Sequence, residues 1–435
     1  MTIFINNEKH QIINYMKRNS LFLATALLIS LAGCKSTPVQ DEPWISNALD
    51  VASFQLEKTA EELTGTNRIP RSIHSGYDMN FLDSQLQRED KSYIDSLLPN
   101  PSAKELQQRY IRGIEDWTSG FFPGSLWYTY EMTGDEKLKS RAIQYTNMLN
   151  PIRRLKNTHD VGFMINCSYG NALRLAPNDT IKAVIMETAD NLSARFNPEI
   201  GCIRSWDFGE WNFPVIIDNM MNLDLLFNAT KLSGNPKYRD IAVKHAQTTM
   251  KHHFRPDYTS YHVVSYNNDG TVEKKQTHQG KNDGSAWSRG QAWAVYGYTS
   301  CYRETKDTAF LQEATNIADM IMKRVTTDDC IPYWDYDAPA GKSTPRDASA
   351  AAITASALLE LSTLAPEGKK YFDYAETILK NLSSDKYLAV KGSNQGFVLM
   401  HSTGSLPHGS EIDVPLNYAD YYYLEALQRY RNLTK

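Results

Sequence analysis

The sequence predicts an all-α protein made of repeated αα-hairpins, and three observations carry that prediction. Five short stops rich in Gly, Pro, Asn and Asp each separate two amphipathic helical runs. The stops recur at intervals of roughly 45–75 residues, the mark of a repeat architecture. Helices at the two ends of the chain are placed to supply a sixth hairpin.

Taken in order, the chain opens on a segment that does not belong to the fold. Lys17 and Arg18 precede the apolar run Leu21–Ile29, and Leu31-Ala32-Gly33-Cys34 follows. A basic stretch, a short apolar stretch and small residues make a secretory signal, too short to remain as a membrane span. Residues 1–15 are polar, so Met16 is an alternative start. Residues 1–33 are read as the signal peptide and residues 34–44 as a polar tether. Residues 45–435 are read as one catalytic domain. Leu49, Ala52, Leu56, Ala60 and Leu63 then recur at helical spacing.

The hairpin turns follow. They are Tyr130–Asp135, Leu175–Asp179, Thr230–Asn235, Glu304–Asp307 and Leu364–Gly368, each followed by an amphipathic run such as TAFLQEATNIADMIMKRV. Between hairpins lie longer connections that hold Trp117, Trp206, Trp211, Trp287 and Trp334. Long connections on a rigid helical scaffold are where sites gather, and aromatic side chains there suit stacking on sugar rings. The competing reading is that they close the ends of the helical array.

Composition narrows the function. The chain of 435 residues is 41% hydrophobic with net charge −4. Loss of residues 1–33 removes three Lys/Arg and one Glu and takes the charge to −6. No long basic run remains, which argues against nucleic-acid binding. Cys167, Cys202, Cys301 and Cys330 show no paired metal-ligand spacing, so neither a zinc site nor any other metal or cofactor is expected. They are expected to be mostly buried free thiols.

One carboxylate stands out. Asp218 sits in Phe213–Leu223, FPVIIDNMMNL, between Val215, Ile216, Ile217 and Met220, Met221, Leu223. Burial disfavours its charged form and raises its pKa, which suits a general acid near neutral pH. A helix opening at Asn219 and running to Lys231 would pull the other way. Alone, Asp218 reads better as a helix cap or an ion-paired core residue than as an acid. Three other segments bear on it: Asp116–Trp127; His159-Asp160-Val161-Gly162-Phe163, where Asp160 also reads as a helix cap; and Asp283–Trp293, where Arg289 and Trp293 share a helix face.

The runs DWTSGFFPGSLWYTYE, HDVGF, IIDNMMNL, SYHVV and WSRGQAWAVYG resemble, in order, the unsaturated glucuronyl hydrolases of glycoside hydrolase family 88. The Leu-Ala-Gly-Cys ending likewise resembles a bacterial lipobox, which implies cleavage before Cys34, lipidation of its thiol and a membrane anchor in the cell envelope. The family resemblance implies an (α/α)6 barrel and removal of the 4,5-unsaturated uronic acid that polysaccharide lyases leave on oligosaccharides. It places Asp218 on the general acid/base and Asp160 on a second essential aspartate. His159, His262, Trp287, Arg289 and Trp293 fall on pocket positions, Trp117 and Trp206 on aromatic walls, and Gln279 on a polar contact. Ser119 stands where the family is expected to carry Asn, and so offers a shorter donor. Arg289 is positioned to meet the substrate carboxylate, with a helix-surface ion pair as its competing reading. The run Ser410–Tyr423 is expected to close the pocket. Unsaturated rhamnogalacturonyl hydrolases share this logic, and a lipid-anchored glycan-binding protein is the non-enzymatic alternative. Plant or algal polymers such as ulvan are favoured slightly over host glycosaminoglycans.

Overall fold

Three of the five hairpin turns are built on a shared device. Gly134 takes a left-handed φ of 72° after the first helix, and Asp135 then accepts the amide of Lys137 to cap the next. Gly234 and Asn235 repeat the pair, with Asn235 accepting the amide of Lys237. At the fourth turn Lys306 occupies the left-handed position without being glycine, and Asp307 caps by accepting from Ala309. Each of these three turns thus stops one helix and starts its antiparallel neighbour within two residues.

A computed structural model describes residues 41–73 and 109–435. The signal segment, Cys34 and most of the tether lie outside the described residues. Helix α1 (Pro43–Glu62) comes first, followed by the strand pair β1 (Ile69–Ile73) and β2 (Arg109–Arg112). Then come α2 (Phe121–Thr133) and α3 (Glu136–Met148). Helices α4 (Val161–Ile165) and α5 (Asn171–Leu175) form one rod interrupted by a π turn at Asn166–Gly170. After α6 (Asp179–Ser193) come β3 (Phe196–Asn197), β4 (Cys202–Ile203), β5 (Pro214–Ile216) and a 3-10 turn at Ile217–Asn222. Next are α7 (Leu223–Ser233), α8 (Pro236–His252), β6 (Val263–Tyr266) and β7 (Val272–Gln276). The remainder is α9 (Ser288–Thr305), α10 (Thr308–Arg324), α11 (Ala348–Ser362), α12 (Gly368–Leu382), β8 (Ser402–Ser405), β9 (Ser410–Val414) and α13 (Asn417–Thr434).

Helices α2, α4–α5, α7, α9, α11 and α13 pack side by side in a closed inner ring, and α3, α6, α8, α10, α12 and α1 form the outer ring. This is an (α/α)6 barrel. Burial separates the rings. In the inner helix α11, ASAAAITASALLELS, every residue but Glu360 and Ser362 is buried. The outer helix α12 buries a stripe of Tyr371, Ala375, Ile378, Leu379 and Leu382 and leaves its other face in water. The sixth hairpin is made by the two ends of the described chain: Trp44 of α1 packs on Tyr430 of α13, with ring centroids 5.4 Å apart.

The structure adds what the all-α reading did not contain. The long connections carry short antiparallel strands, the largest set being β5-β6-β7. The helix expected over Asn219–Lys231 is a 3-10 turn followed by α7, so Asp218 sits inside the turn rather than at an α-helix start. Cys167, Cys202 and Cys301 are buried free thiols and Cys330 is a half-buried one.

Candidate active site

The inner helices bring their N-terminal ends to one end of the barrel, and a pocket of about 510 Å³ opens there. It is lined by, among others, Arg71, Trp117, Asp160, Trp206, Asp218, Gln279, Arg289, Glu411 and Tyr418. Helix N-termini present amides and a partial positive charge, a setting that favours an anionic ligand.

Strand pairing places the key carboxyl. Ile216 of β5 faces Val263 of β6, and the amide of Ile217 donates to the carbonyl of His262 at 3.0 Å. The next residue, Asp218, therefore lies beside the His262 ring, whose Nε2 is 3.6 Å from Asp218 Oδ2. His262 Nδ1 accepts the amides of His278 and Gln279 at 3.1 and 3.2 Å. That assigns the proton to Nε2, aimed at Asp218. Burial first, and the neighbouring His278 next, hold the His262 pKa well below its ordinary value. The ring is neutral, so this is an N–H facing a carboxyl rather than an ion pair.

Asp218 is 7% exposed. Burial pushes its pKa up to about 7, against the opposing pull of the Arg289 charge and with a further push from Asp160. Asp218 lies in the 3-10 turn ahead of α7, so the helix-start position that would oppose burial is not the one it occupies. A carboxyl of that acidity holds a proton for part of its time at neutral pH.

Asp160 has a parallel arrangement. It occupies the N-cap position of α4 without a capping hydrogen bond, which removes the reading of it as a helix cap. Its carboxylate accepts from the hydroxyl of Thr158 at 2.8 Å and faces Nε2 of buried His159 at 3.3 Å. The amide of Phe163 donates to Asn222 Oδ1 at 2.8 Å, which turns the Asn222 NH₂ toward His159 Nδ1 at 3.3 Å. A Cβ on Gly162 would fall 2.3 Å from Asn222 Oδ1, so only glycine admits this relay.

Arg289 is 1% exposed, which overturns the surface ion-pair reading. Its Nη1 donates to Asp347 Oδ2 at 2.9 Å and to the carbonyl of Thr403 at 2.6 Å, and Nη2 donates to the carbonyl of Gly404 at 2.6 Å. Its guanidinium lies 4.6 Å from the Trp287 ring centroid and 5.3 Å from that of Tyr418. Arg289 reaches the pocket wall with much of its hydrogen-bonding capacity already committed to the β8–β9 hairpin. Trp117 packs on Phe163 and Tyr418. Trp206 stacks on exposed Phe208 with centroids 4.9 Å apart and planes at 18°. Gln279 donates to the Gly404 carbonyl at 3.1 Å.

The remaining residues stand behind this wall. His159, His262, Trp287 and Trp293 are buried next to the lining residues without belonging to the lining themselves. The Trp293 indole favours the charged form of Asp218. Ser119 is fully buried and its hydroxyl has no partner among the described residues, so it does not face the pocket as a donor. Within Ser410–Tyr423, Ser410, Glu411 and Tyr418 do line the pocket. Sequence reasoning missed Arg71, His278, Asp347 and His408. Asp347 alone left a signal, because Asp-Ala-Ser ahead of an Ala-rich run is a helix start, and its carboxylate accepts the Ser349 amide.

Residues 100–432 match Glycosyl Hydrolase Family 88, and residues 16–88 match a stretch described only as a domain of unknown function. The chain belongs to glycoside hydrolase family 88. It is 49% identical to the unsaturated glucuronyl hydrolase of Formosa agariphila over 73% of this chain and 81% of that one. It is 32% identical to the unsaturated chondroitin disaccharide hydrolase of Streptococcus pyogenes over 79% and 88%. Among solved structures, an unsaturated glucuronyl hydrolase specific for heparin superposes with a TM-score of 0.81 at 47% identity, covering 91% of this chain and 98% of its own. The Bacillus sp. GL1 unsaturated glucuronyl hydrolase superposes with a TM-score of 0.77 at 28% identity, covering 88% and 96%. The family 88 barrel is therefore the frame in which the two aspartates are to be understood.

Proposed function

We propose that this family 88 enzyme removes the 4,5-unsaturated uronic acid from the non-reducing end of lyase-generated oligosaccharides, with Asp218 as general acid and base. The observation that carries the reading is a pocket carboxyl with a pKa of about 7, faced by a neutral imidazole N–H. Ordinary glycoside hydrolysis uses two carboxylates flanking the anomeric carbon. A vinyl ether asks for something else. Protonated Asp218 donates to C4, and the positive charge that develops at C5 is shared with the ring oxygen. Water adds at C5 while the Asp218 carboxylate takes up its proton, which restores the acid. The hemiketal so formed opens to a C5 ketone, and the resulting C1 hemiacetal expels the partner sugar. One water is consumed and no electrons are transferred.

Asp160 keeps a negative charge close to Asp218 and so favours its protonated form between turnovers. Trp117, Trp206 and Tyr418 supply ring faces for the sugar, while Arg289 supplies positive charge for the uronate. The test is loss of the ultraviolet absorbance of the C4=C5 bond when lyase products are added. Persistence of that absorbance with every product class would overturn the reading. The panel spans heparin, chondroitin, ulvan and gellan-type products, and the fastest of them names the parent polymer.

The same reading places the enzyme in the cell envelope, anchored through lipid on Cys34. The Leu31-Ala32-Gly33-Cys34 ending supports it. Labelled fatty acid should enter the wild-type chain and not the Cys34→Ser variant. A mature N-terminus other than Cys34 by mass spectrometry would refute it.

A further inference from the structure

One cationic side chain in the pocket comes from outside the family 88 match. Arg71 lies on β1, in the part of the chain matched only by a domain of unknown function. That part is built into the barrel. Tyr145 of α3 donates its hydroxyl to the Ala60 carbonyl of α1 at 2.8 Å. Gln55 of α1 donates to the carbonyls of Ser393 and Phe397 at 2.7 and 3.0 Å. Asn417, the first residue of α13, donates to the carbonyls of Pro70 at 2.8 Å and Thr118 at 3.1 Å, and Ser72 donates to that of Pro415 at 2.7 Å. The apolar face of α1 belongs to the same core as the inner ring.

Arg71 joins two walls of the pocket. Its Nε and Nη2 grip both oxygens of Glu411 at 2.7 and 2.9 Å, and its Nη1 donates to Asp116 Oδ2 at 2.8 Å. Asp116 adjoins Trp117. Glu411 belongs to the β8–β9 hairpin, whose Gly404 carbonyl receives both Arg289 and Gln279. Glu411 is also held at a φ of 55°, a conformation that non-glycine residues adopt only when their surroundings compel it. The Glu411 side chain packs against Gly404: a Cβ there would fall 2.5 Å from Glu411 Oε2 and 2.7 Å from its Cβ.

We propose that the segment Pro43–Ile73 is part of the catalytic unit, and that Arg71 is a positioning residue that clasps the hairpin of Gly404 and Glu411 to the wall of Trp117. It acts through Glu411 and Asp116 to fix Arg289, Gln279 and Trp117 around the bound sugar. The inference rests on the proposed substrate for its kinetic test and on the structure alone for its exchange test.

The experiment uses the full chain and three variants, Arg71→Met, Arg71→Lys and Gly404→Ala. Gly404→Ala removes no charge and crowds the Glu411 side chain at its Cβ as well as its carboxylate. With a lyase product, Arg71→Met and Gly404→Ala should raise KM tenfold or more and change kcat less than threefold, because Asp218 is untouched. Arg71→Lys, which keeps the charge and loses the fork, should fall between. Amide hydrogen exchange over residues 402–414 should quicken in Arg71→Met. KM within twofold of wild type in both Arg71→Met and Gly404→Ala would overturn the clasp. If the wild-type enzyme turns over no lyase product, it is the substrate reading that fails. Exchange then decides the clasp, and unchanged rates in Arg71→Met refute it.

Discussion

Two buried aspartates, Asp218 at the pocket and Asp420 in α13, share one cause of raised pKa and differ in what their oxygens meet. Burial pushes both pKa values to about 7. Asp420 accepts the amides of Val398 at 3.0 Å and Leu399 at 2.8 Å, so both of its oxygens are occupied by backbone. Asp218 Oδ2 is buried with no hydrogen-bond partner among the described residues, and Asp218 is faced by an imidazole and a second aspartate at the edge of a pocket. A raised pKa marks desolvation alone. What separates an acid catalyst from a structural clamp is an oxygen left free to meet substrate. The first carboxyl is held ready and the second is used up.

The largest expected effect comes from removing the free one. Asp218→Asn keeps the shape and should lower kcat by about 10³, within the usual range for a positioned acid and base. It should also stabilise the protein at alkaline pH. The folded pKa of Asp218 lies above its unfolded value of 3.8, so the folded state binds the extra proton between them. The stability this confers is complete below pH 4 and is lost as the pH rises through 7. Above pH 8 the ionised carboxyl costs about 4 kcal/mol, from a shift of about 3 units at 1.36 kcal/mol each. Denaturant midpoints of the variant and wild type should therefore separate above pH 7 and draw together near pH 4. Equal separation at both ends would break the comparison.

Asp160→Asn sharpens it from the other side. The Asp160 charge raises the pKa of Asp218, so its removal lowers that pKa. The alkaline limb of the kcat/KM profile should move to lower pH, with a loss of activity of about 10² at pH 7. An unmoved limb would separate the two aspartates electrostatically.

These contrasts show which parts of the molecule were legible in the sequence. The hairpins were, because each stop is a local device: Gly134 with Asp135 and Gly234 with Asn235 end and start helices through their own neighbours. Asp218 was visible as a charge in an apolar run. Its 3-10 turn was not, since pairing of β5 with β6 sets that conformation from residues more than forty positions away. Arg71 left no signal. Its partners Glu411 and Asp116 lie 340 and 45 residues off, and nothing in IPRSI marks the arginine as a clasp. For Arg289 a surface ion pair stood as the competing reading because helical spacing reports a shared face and is silent on what that face meets. Ser119 followed the resemblance to a pocket position and lies fully buried in the structure.

Asp420→Asn should move stability and leave chemistry alone. An amide can accept from one backbone N–H, while its NH₂ is set against the other. The cost should be about 1–3 kcal/mol, read as a lower denaturant midpoint at unchanged slope. Among molecules still folded, kcat should equal that of wild type. A fall in kcat greater than threefold would give Asp420 a part in the reaction and erase the distinction.

Glu313 of the outer helix α10 supplies the smallest and cleanest control. Burial pushes its pKa up to about 7, and its Oε1 has no partner among the described residues, as with Asp218. It lacks what the pocket adds, for no facing imidazole, second aspartate or sugar-binding wall surrounds it among the described residues. Glu313→Gln should therefore leave kcat and KM unchanged. Its sign on stability follows that of Asp218: the proton is retained by the folded state, so wild type loses stability as pH rises through 7 and the variant does not. Solvent screening at a residue left 8% exposed reduces the gain to about 1–3 kcal/mol at pH 8. Measured beside Asp218→Asn at the same pH, it separates the cost of burying a carboxyl, which both variants relieve, from the use of one, which only Asp218→Asn abolishes.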